Sequence, residues 1–329
     1  MSPKPGLKGL AYTPAIAGAK PRERGSRPGS LNTCGSEGLP VLTYAKTRIQ
    51  NTELCFVKLR GALKITLAYS PCPNDTFMFH GVATGRLRLE ALEFDVHLHD
   101  VETLNRMALR GVYDVTKLSF HAWLLVAERY EMLGAGAAMG CGCGPVVVSR
   151  RDIARADLPR CRVAVPGELT TAHMLLRLWA PDVADKVFVR YDQVMGLLAS
   201  GQADVGVIIH EGRFTYEREG FHLVADLGQW WQDTTGLPIP LGCIAARKQL
   251  GAEMIGDIER LLRQGIAESI AQPDRTVEYV RQYAQEMDEG VLKDHIRMFV
   301  NDYSLDPGDQ GRQAVAKLRE LARGAGIIA

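Results

Sequence analysis

His210 is the residue of this chain best suited to acid–base chemistry. It follows the apolar run Val205–Ile209, which is interrupted only by Gly206, so the pattern predicts a buried strand that ends in a histidine. An imidazole titrates near neutral pH, which suits a general base, and a strand end is a rigid support for one. A hydrogen-bonded core histidine would leave the same pattern. The segment HEGRF is not the H-E-x-x-H motif of zinc proteases.

A threonine pair and a Lys-Leu-Ser run are candidates for binding an anion. Thr170 and Thr171 begin a predicted helix, where free N–H groups and two hydroxyls could receive a carboxylate or a phosphate. Either threonine could instead cap the helix, and Ser119 carries the same ambiguity. Lys117 could pair with an anionic ligand or be a solvated surface lysine.

The elements that must position these residues alternate between strand and helix from about residue 63 onward, which predicts an α/β fold with mainly parallel pairing. Ligands of open α/β sheets bind beyond the carboxyl ends of the strands. Four polar places follow predicted strands: Ser70–Asp75, Lys117–Ser119, Thr170–Thr171 and His210. We therefore expect them to line one cleft between two lobes.

The lobe boundaries follow from a βαβαβ pattern between Pro159 and Pro240, which reads as a unit inserted into a larger one. We predict one lobe from residues 62–158 and 246–329, and a second lobe from residues 159–245. Residues 1–61 are rich in Gly, Pro, Ser, Lys and Arg and lack apolar periodicity, which predicts a disordered extension. A start codon assigned too far upstream would look the same. A targeting segment is the other alternative, although the apolar core of a secretory signal is missing.

Composition excludes several classes of function. The chain has 329 residues, 46% hydrophobic and 23% charged, with a net charge of +1, which supports neither nucleic acid nor a membrane as a partner. The seven cysteines form no C-x-x-C pair, which argues against a zinc site and fits reduced thiols in the cytosol. No P-loop or nucleophile elbow occurs, and Met139 interrupts the only glycine pattern near a dinucleotide fingerprint. The oligomeric state is left open.

Six segments resemble the 1,4-dihydroxy-6-naphthoate synthase family. The resemblance runs in order from about residue 63 almost to the C-terminus. The segments are SPCPNDTFMF (Ser70–Phe79), DVETLNRMAL (Asp100–Leu109), TKLS (Thr116–Ser119), RVAVPG with a following TTA (Arg162–Ala172), VIIHEGRFTY (Val207–Tyr216) and GLPIPLG (Gly236–Gly242).

The resemblance implies a two-lobed, periplasmic-binding-protein-like fold of type 2 that works as a cytoplasmic lyase. The implied reaction breaks a carbon–carbon bond of cyclic dehypoxanthine futalosine, a small-molecule carboxylate, and yields 1,4-dihydroxy-6-naphthoate for menaquinone. No metal or organic cofactor is implied. The resemblance makes His210 the proton acceptor and assigns substrate contacts to a set of five residues. The set is Lys117, Leu118, Ser119, Thr170 and Thr171. Glu168 and Leu169 precede the threonine pair where relatives can carry other residues, which leaves fine ligand contacts open.

Three other functions compete with this one. A non-catalytic solute-binding protein would share the fold but would need no base in the cleft, and such proteins are usually exported. A chorismate dehydratase of the same pathway would share both the fold and a cleft for an aromatic acid precursor. The third alternative is an α/β protein with a vestigial cleft, against which the complete set of polar residues argues.

Overall fold

The structure is a computed structural model that describes residues 62–284 and 288–329, together with four two-residue strands nearer the N-terminus. Those short strands form two antiparallel pairs, Tyr44–Ala45 with Phe56–Val57 and Arg48–Ile49 with Thr52–Glu53. The chain divides into two units between Leu59 and Arg60, and both lobes belong to the second unit. Apart from the four short strands, the predicted extension at residues 1–61 lies outside the described residues.

Strands and helices alternate through most of the second unit as the apolar patterns predict, although the patterns do not predict the strand His222–Asp226 or the helix Leu227–Thr235. The strands are β1 (Leu63–Tyr69), β2 (Leu92–Leu98), β3 (Val115–Ser119), β4 (Tyr130–Met132), β5 (Ala138–Gly140), β6 (Val146–Ser149), β7 (Val163–Val165), β8 (Lys186–Phe188), β9 (Val205–Ile208), β10 (His222–Asp226) and β11 (Ile239–Arg247). The helices are α1 (Pro73–Ala83), α2 (Val101–Arg110), α3 (Phe120–Val126), α4 (Thr171–Trp179), α5 (Val194–Ala199), α6 (Gly212–Thr215), α7 (Leu227–Thr235), α8 (Ala252–Ala271), α9 (Val277–Tyr283), α10 (Glu289–Phe299), α11 (Asp302–Leu305) and α12 (Gly308–Gly324).

The first lobe is built on a six-stranded sheet with the order β2-β1-β3-β11-β4, and β5 also pairs with β11. Strand β1 runs parallel to β2 and β3, whereas β11 runs antiparallel to β3, so that Gly242 faces Ser119. Helices α1 and α8 pack together and bury an apolar core against this sheet. The core includes Leu67 from the sheet and Ile258 from α8. The loops after β1 and β3 therefore leave the same edge of the sheet.

The second lobe is built on a five-stranded sheet with the order β8-β7-β9-β6-β10. Strands β7, β8 and β9 run parallel, and β6 is antiparallel to both of its neighbours. The expectation of mainly parallel pairing is therefore wrong, because β6 and β11, the strands in which the chain crosses between lobes, each enter a sheet in the reverse direction. Both predicted boundaries also shift. Val146–Ser149 pairs within the second sheet, before residue 159, and Ile239–Arg247 pairs within the first sheet, before residue 246.

The two lobes share part of their apolar core. One cluster of buried side chains contains Leu118 and Phe120 from the first lobe and Leu175 and Trp179 from the second. Helix α4 lies at this junction and contacts α3, α12 and β11. The α/β architecture with two sheets is therefore confirmed. Within the described residues, no helix is both long enough and apolar enough to cross a membrane.

Candidate active site

All six residues that the sequence nominates line one cleft between the two lobes. The cleft encloses about 690 Å³, part of which is continuous with solvent. The nominated residues in its wall are Lys117, Leu118, Ser119, Thr170, Thr171 and His210. The wall also includes Asn74 and Asp75 from the start of α1, and His295 from α10, so two further segments distant in sequence add polar groups to the site.

His210 sits in an unusual backbone conformation two residues beyond the end of β9. Its φ is 58°, and among the non-glycine residues that the structure describes it alone has a positive φ. Such a conformation costs about 1 kcal/mol or more for a residue with a side chain and persists where the surroundings enforce it, often at active sites. The ring of Tyr191 packs edge-on against the imidazole, with 4.7 Å between ring centroids. The backbone therefore aims this side chain into the cleft at an energetic cost.

The imidazole of His210 is neutral at physiological pH. Burial lowers its pKa to about 4, the nearby Asp75 carboxylate acts in the opposite direction, and Lys117 adds to the lowering. Its Nε2 lies 3.5 Å from Sγ of Cys72, whose own pKa is raised by burial. Nδ1 has no hydrogen-bond partner among the described residues, so this nitrogen is left for a ligand in the cleft.

Asp75 organises the polar floor of the cleft. It lies in the first turn of α1, and its carboxylate accepts hydrogen bonds from Oγ of Ser70 at 2.6 Å and from Nδ2 of Asn74 at 3.1 Å. The ammonium of Lys117 is 2.8 Å from the same carboxylate, and both side chains are buried. This contact is an ion pair without an aligned hydrogen bond, so the N–H groups of Lys117 remain available to an anion.

Lys117 reaches the cleft from inside a sheet. It lies on β3, a strand whose five residues are all buried, so the alternative of a solvated surface lysine is wrong. Gly242 on the neighbouring β11 leaves the space for its stem, because a Cβ there would lie 3.3 Å from Cε of Lys117 and 2.9 Å from the carbonyl oxygen of Leu118. The glycine at position 242 on β11 thus makes room for the buried side chain of Lys117.

Ser119 does not cap a helix through its side chain, although it occupies the position before α3. Its Oγ accepts a hydrogen bond from Nδ2 of Asn105 at 2.9 Å, and its backbone N–H donates to Oδ1 of the same amide at 3.0 Å. Because the hydroxyl oxygen acts as an acceptor here, its proton is free to be donated to a ligand. Asn105 was not anticipated from the sequence.

The threonine pair divides its roles in a way the sequence left open. Oγ1 of Thr170 donates to the carbonyl of Gly167 at 3.0 Å and accepts from the N–H of His173 at 3.2 Å, so this side chain caps α4. Oγ1 of Thr171 donates to the carbonyl of Leu241 at 2.7 Å. Both hydroxyl protons are therefore engaged. What α4 offers an anion is the pair of backbone N–H groups in its first turn, which have no partner within the helix.

His295 is the main polar residue of the cleft that sequence reasoning did not select. Its Nε2 lies 3.2 Å from Oδ1 of Asn74, and its ring lies nearly parallel to that of His210, with centroids 6.0 Å apart. The sequence does contain a pattern that indicates burial of His295, because Leu292, His295 and Phe299 are spaced to share one face of α10, and this face is buried. No group of three or more His, Cys, Asp or Glu side chains suited to a metal ion occurs in the part of the chain described.

The fold is that of two-lobed binding proteins. The alkanesulfonate-binding protein SsuA of Xanthomonas axonopodis pv. citri superimposes with a TM-score of 0.60 at 12% identity, covering 82% of this chain and 96% of that one. A protein of Archaeoglobus fulgidus superimposes with a TM-score of 0.77 at 37% identity, covering 80% of this chain and 98% of that one. The fold defines this chain as periplasmic-binding-protein-like. Its cleft contains a neutral histidine, His210, close to the buried ion pair of Lys117 and Asp75.

The chain belongs to the menaquinone biosynthesis family, whose sequence profile matches residues 65–324. It is 44% identical over 265 residues to a protein of Thermus thermophilus named 1,4-dihydroxy-6-naphtoate synthase, covering 80% of this chain and 96% of that one. It is 41% identical over 269 residues to the synthase of the same name from Streptomyces coelicolor, covering 80% of this chain and 94% of that one. The predicted family, fold class and enzymatic nature are thereby confirmed.

Proposed function

We propose that this enzyme is a carbon–carbon lyase that converts cyclic dehypoxanthine futalosine to 1,4-dihydroxy-6-naphthoate in menaquinone biosynthesis. The observation that carries the proposal is the placement of His210, a neutral imidazole held in a strained conformation in the wall of the cleft. The names of the two relatives supply the product, and the resemblance of the motifs supplies the substrate.

The carboxylate of the substrate binds where the cleft offers positive charge and free donors. Lys117 supplies an ammonium group, Ser119 supplies a hydroxyl proton, and the first turn of α4 supplies backbone N–H groups. A carboxylate at a helix N-terminus is stabilised by the helix dipole as well as by the hydrogen bonds. The aromatic ring would then lie against the apolar wall that includes Leu118 and Phe299.

In the tautomer whose proton is on Nε2, facing Sγ of Cys72, His210 takes a proton from the sugar portion of the substrate through Nδ1. The electrons of the broken carbon–carbon bond pass into the ring system, which becomes aromatic, and a three-carbon fragment leaves. Asp75 favours the imidazolium that forms, since its negative charge raises the pKa of His210. Neutral His210 therefore acts as base, and the carboxylate of Asp75 stabilises the product of proton transfer.

Closure of the two lobes around the substrate would exclude water during this step, and two hydrogen bonds already join the lobes across the cleft. Nδ2 of Asn105 on α2 donates to the carbonyl of Leu169 at 3.2 Å, and Oγ1 of Thr171 donates to the carbonyl of Leu241. Each of these hydrogen bonds joins one lobe to the other. Water exclusion strengthens electrostatic interactions inside the site and protects a reactive intermediate. We place the reaction in the cytoplasm and expect a small-molecule carboxylate as its partner, since the named relatives are biosynthetic enzymes.

An assay of purified protein with cyclic dehypoxanthine futalosine tests the proposal, with 1,4-dihydroxy-6-naphthoate detected by mass spectrometry. His210→Asn is the informative variant because asparagine tolerates a positive φ better than most residues, so the backbone is preserved. We expect its turnover to fall by about 10²–10⁴, as for the loss of a general base, while binding is retained.

The matched control is His97→Asn, which removes a partly exposed histidine on β2. We expect this variant to turn over like the wild type. Normal turnover in His210→Asn would exclude His210 as the base. Tight binding of the substrate by the wild type with no product would instead assign the protein to the solute-binding class.

A further inference from the structure

His295 has a defined protonation pattern that follows from its neighbours. The carboxylate of Asp75 can only accept hydrogen bonds, so the group of Asn74 that faces it at 3.1 Å is the amide nitrogen, Nδ2. The other end of that amide, Oδ1, is an acceptor and lies 3.2 Å from Nε2 of His295. Nε2 must therefore carry a proton, and in the neutral ring Nδ1 carries a lone pair.

Nδ1 of His295 is a buried acceptor that the protein does not use. The side chain is fully buried, and no hydrogen bond to Nδ1 exists within residues 62–284 and 288–329. Leaving a buried polar atom unpaired costs about 1–3 kcal/mol, so such an atom calls for an explanation. Burial and the nearby His210 hold the pKa of His295 well below its ordinary value, so the ring stays neutral and the lone pair stays available.

His295 lies in the wall of the cleft, next to His210. His295 lines the cleft together with His210, and the two rings lie within 13° of parallel. Lys117, Ser119 and the start of α4 provide the donors of the cleft, whereas His295 provides an acceptor. A carboxylate has no proton to offer such an atom at neutral pH, but a sugar hydroxyl does.

We propose that His295 is a substrate-binding residue whose Nδ1 accepts a hydrogen bond from a hydroxyl group on the sugar portion of the substrate. The inference rests on the proposed function, because only a substrate with a polyol portion offers such a hydroxyl next to His210. It separates the two ends of the ligand: donors hold the carboxylate, and the chain Asp75–Asn74–His295 holds the hydroxyl. The aromatic product, which has lost the sugar carbons, does not make this contact.

Two substitutions separate the acceptor from its anchor. In His295→Gln, the amide nitrogen lies near the position of Nε2 and can still donate to Asn74, but the Nδ1 acceptor is lost. In His295→Asn, the amide oxygen lies near the position of Nδ1, so an acceptor remains while the bond to Asn74 is lost. The dissociation constants of substrate and product are measured by calorimetry for both variants in a His210→Asn background, in which the substrate is not consumed.

We expect His295→Gln to bind the substrate about tenfold more weakly, as for the loss of one hydrogen bond, and the product with unchanged affinity. His295→Asn should bind the substrate more tightly than His295→Gln does. Equal weakening for substrate and product, or no weakening, would overturn the inference and leave His295 as an anchor of α10. A His210→Asn protein that binds the product but never the substrate would overturn the proposed function, and the inference with it.

Discussion

The ammonium group of Lys117 lies 2.8 Å from Oδ1 of Asp75, and both side chains are buried in the wall of the cleft. The partners come from different elements, β3 and the first turn of α1, so the ion pair fixes the helix start to the sheet. Removing one member of a buried pair leaves the other charge without compensation, whereas removing both can be nearly neutral.

Asp75→Asn should therefore destabilise the protein strongly. We expect a loss of about 3–5 kcal/mol in the free energy of unfolding, because Lys117 would remain buried without a counter-charge. Urea denaturation followed by circular dichroism measures the change. The double variant Asp75→Asn/Lys117→Met is the control and should recover most of the stability while remaining inactive. A single variant as stable as the wild type would show that Lys117 does not depend on Asp75.

The pKa of His210 gives a prediction for direct titration. NMR of the imidazole carbon signals in the ligand-free protein should show a resonance that titrates near pH 4, which the His210→Asn variant assigns by its disappearance. The base is competent only when neutral, so kcat/KM should be flat at neutral pH and fall as the pH drops through that value. Asp75→Asn should lower the pKa further, because the carboxylate raises it. Titration near 6.5 would contradict the assignment of burial as the dominant effect.

Thr171 tests whether contacts across the cleft support ligand binding. Thr171→Val keeps the shape of the side chain but removes the hydroxyl that donates to the carbonyl of Leu241 at 2.7 Å. We expect product affinity to fall by up to about tenfold, since the bond that joins the lobes contributes about 1 kcal/mol. Thr171→Ser retains the hydroxyl and should bind like the wild type. Identical product affinities for the valine and serine variants would show that this bond does not contribute to closure.

The Gly167→Ala variant tests whether the loop that precedes α4 tolerates a side chain. Its φ is 97°, and a Cβ there would lie 2.6 Å from Oε2 of Glu102, which accepts the N–H of Leu169 at 2.9 Å. Gly167→Ala should cost about 1–3 kcal/mol of stability and weaken product binding, because both the backbone and the contact with α2 are strained. The measurements are the thermal midpoint and the product dissociation constant.

Gly196→Ala is the matched control for that variant. Gly196 lies inside α5, and a Cβ there would meet no atom within 4 Å. Alanine is the better helix former by roughly 0.5–1 kcal/mol, so this variant should be slightly more stable than the wild type. A Gly167→Ala protein that matches Gly196→Ala in stability and binding would show that the loop tolerates a side chain.

Local patterns were sufficient for most of the order of elements, although not for β10 and α7, and for the strands that lead to Lys117 and His210. Apolar runs fix strands, and a ligand site at strand ends follows from the geometry of α/β sheets. Local patterns do not predict which of the two sheets a strand joins. Whether Val146–Ser149 pairs in one lobe or the other depends on contacts with residues 56–80 positions away, which no local pattern encodes.

The roles of individual side chains depended even more on tertiary contacts. Thr170 and Thr171 look equivalent in sequence, yet one caps its own helix and the other bonds to the opposite lobe. The sequence does not indicate a role for His295, because a single histidine on a helix has no spacing relation to a second candidate residue. Its role becomes visible only from its contacts with Asn74 and His210. The polar residues that line the cleft are thus predictable where a sequence motif contains them, but not where only tertiary packing brings them to the cleft.

The apolar cluster shared by the lobes bears on how a ligand enters. Side chains such as Leu118 and Leu175 belong to one continuous core, and hydrogen bonds from Asn105 and Thr171 cross the cleft. These contacts hold the two lobes together across the cleft. Admission of the substrate requires a transient opening that breaks those contacts, so the association rate is governed by the frequency of opening rather than by diffusion alone.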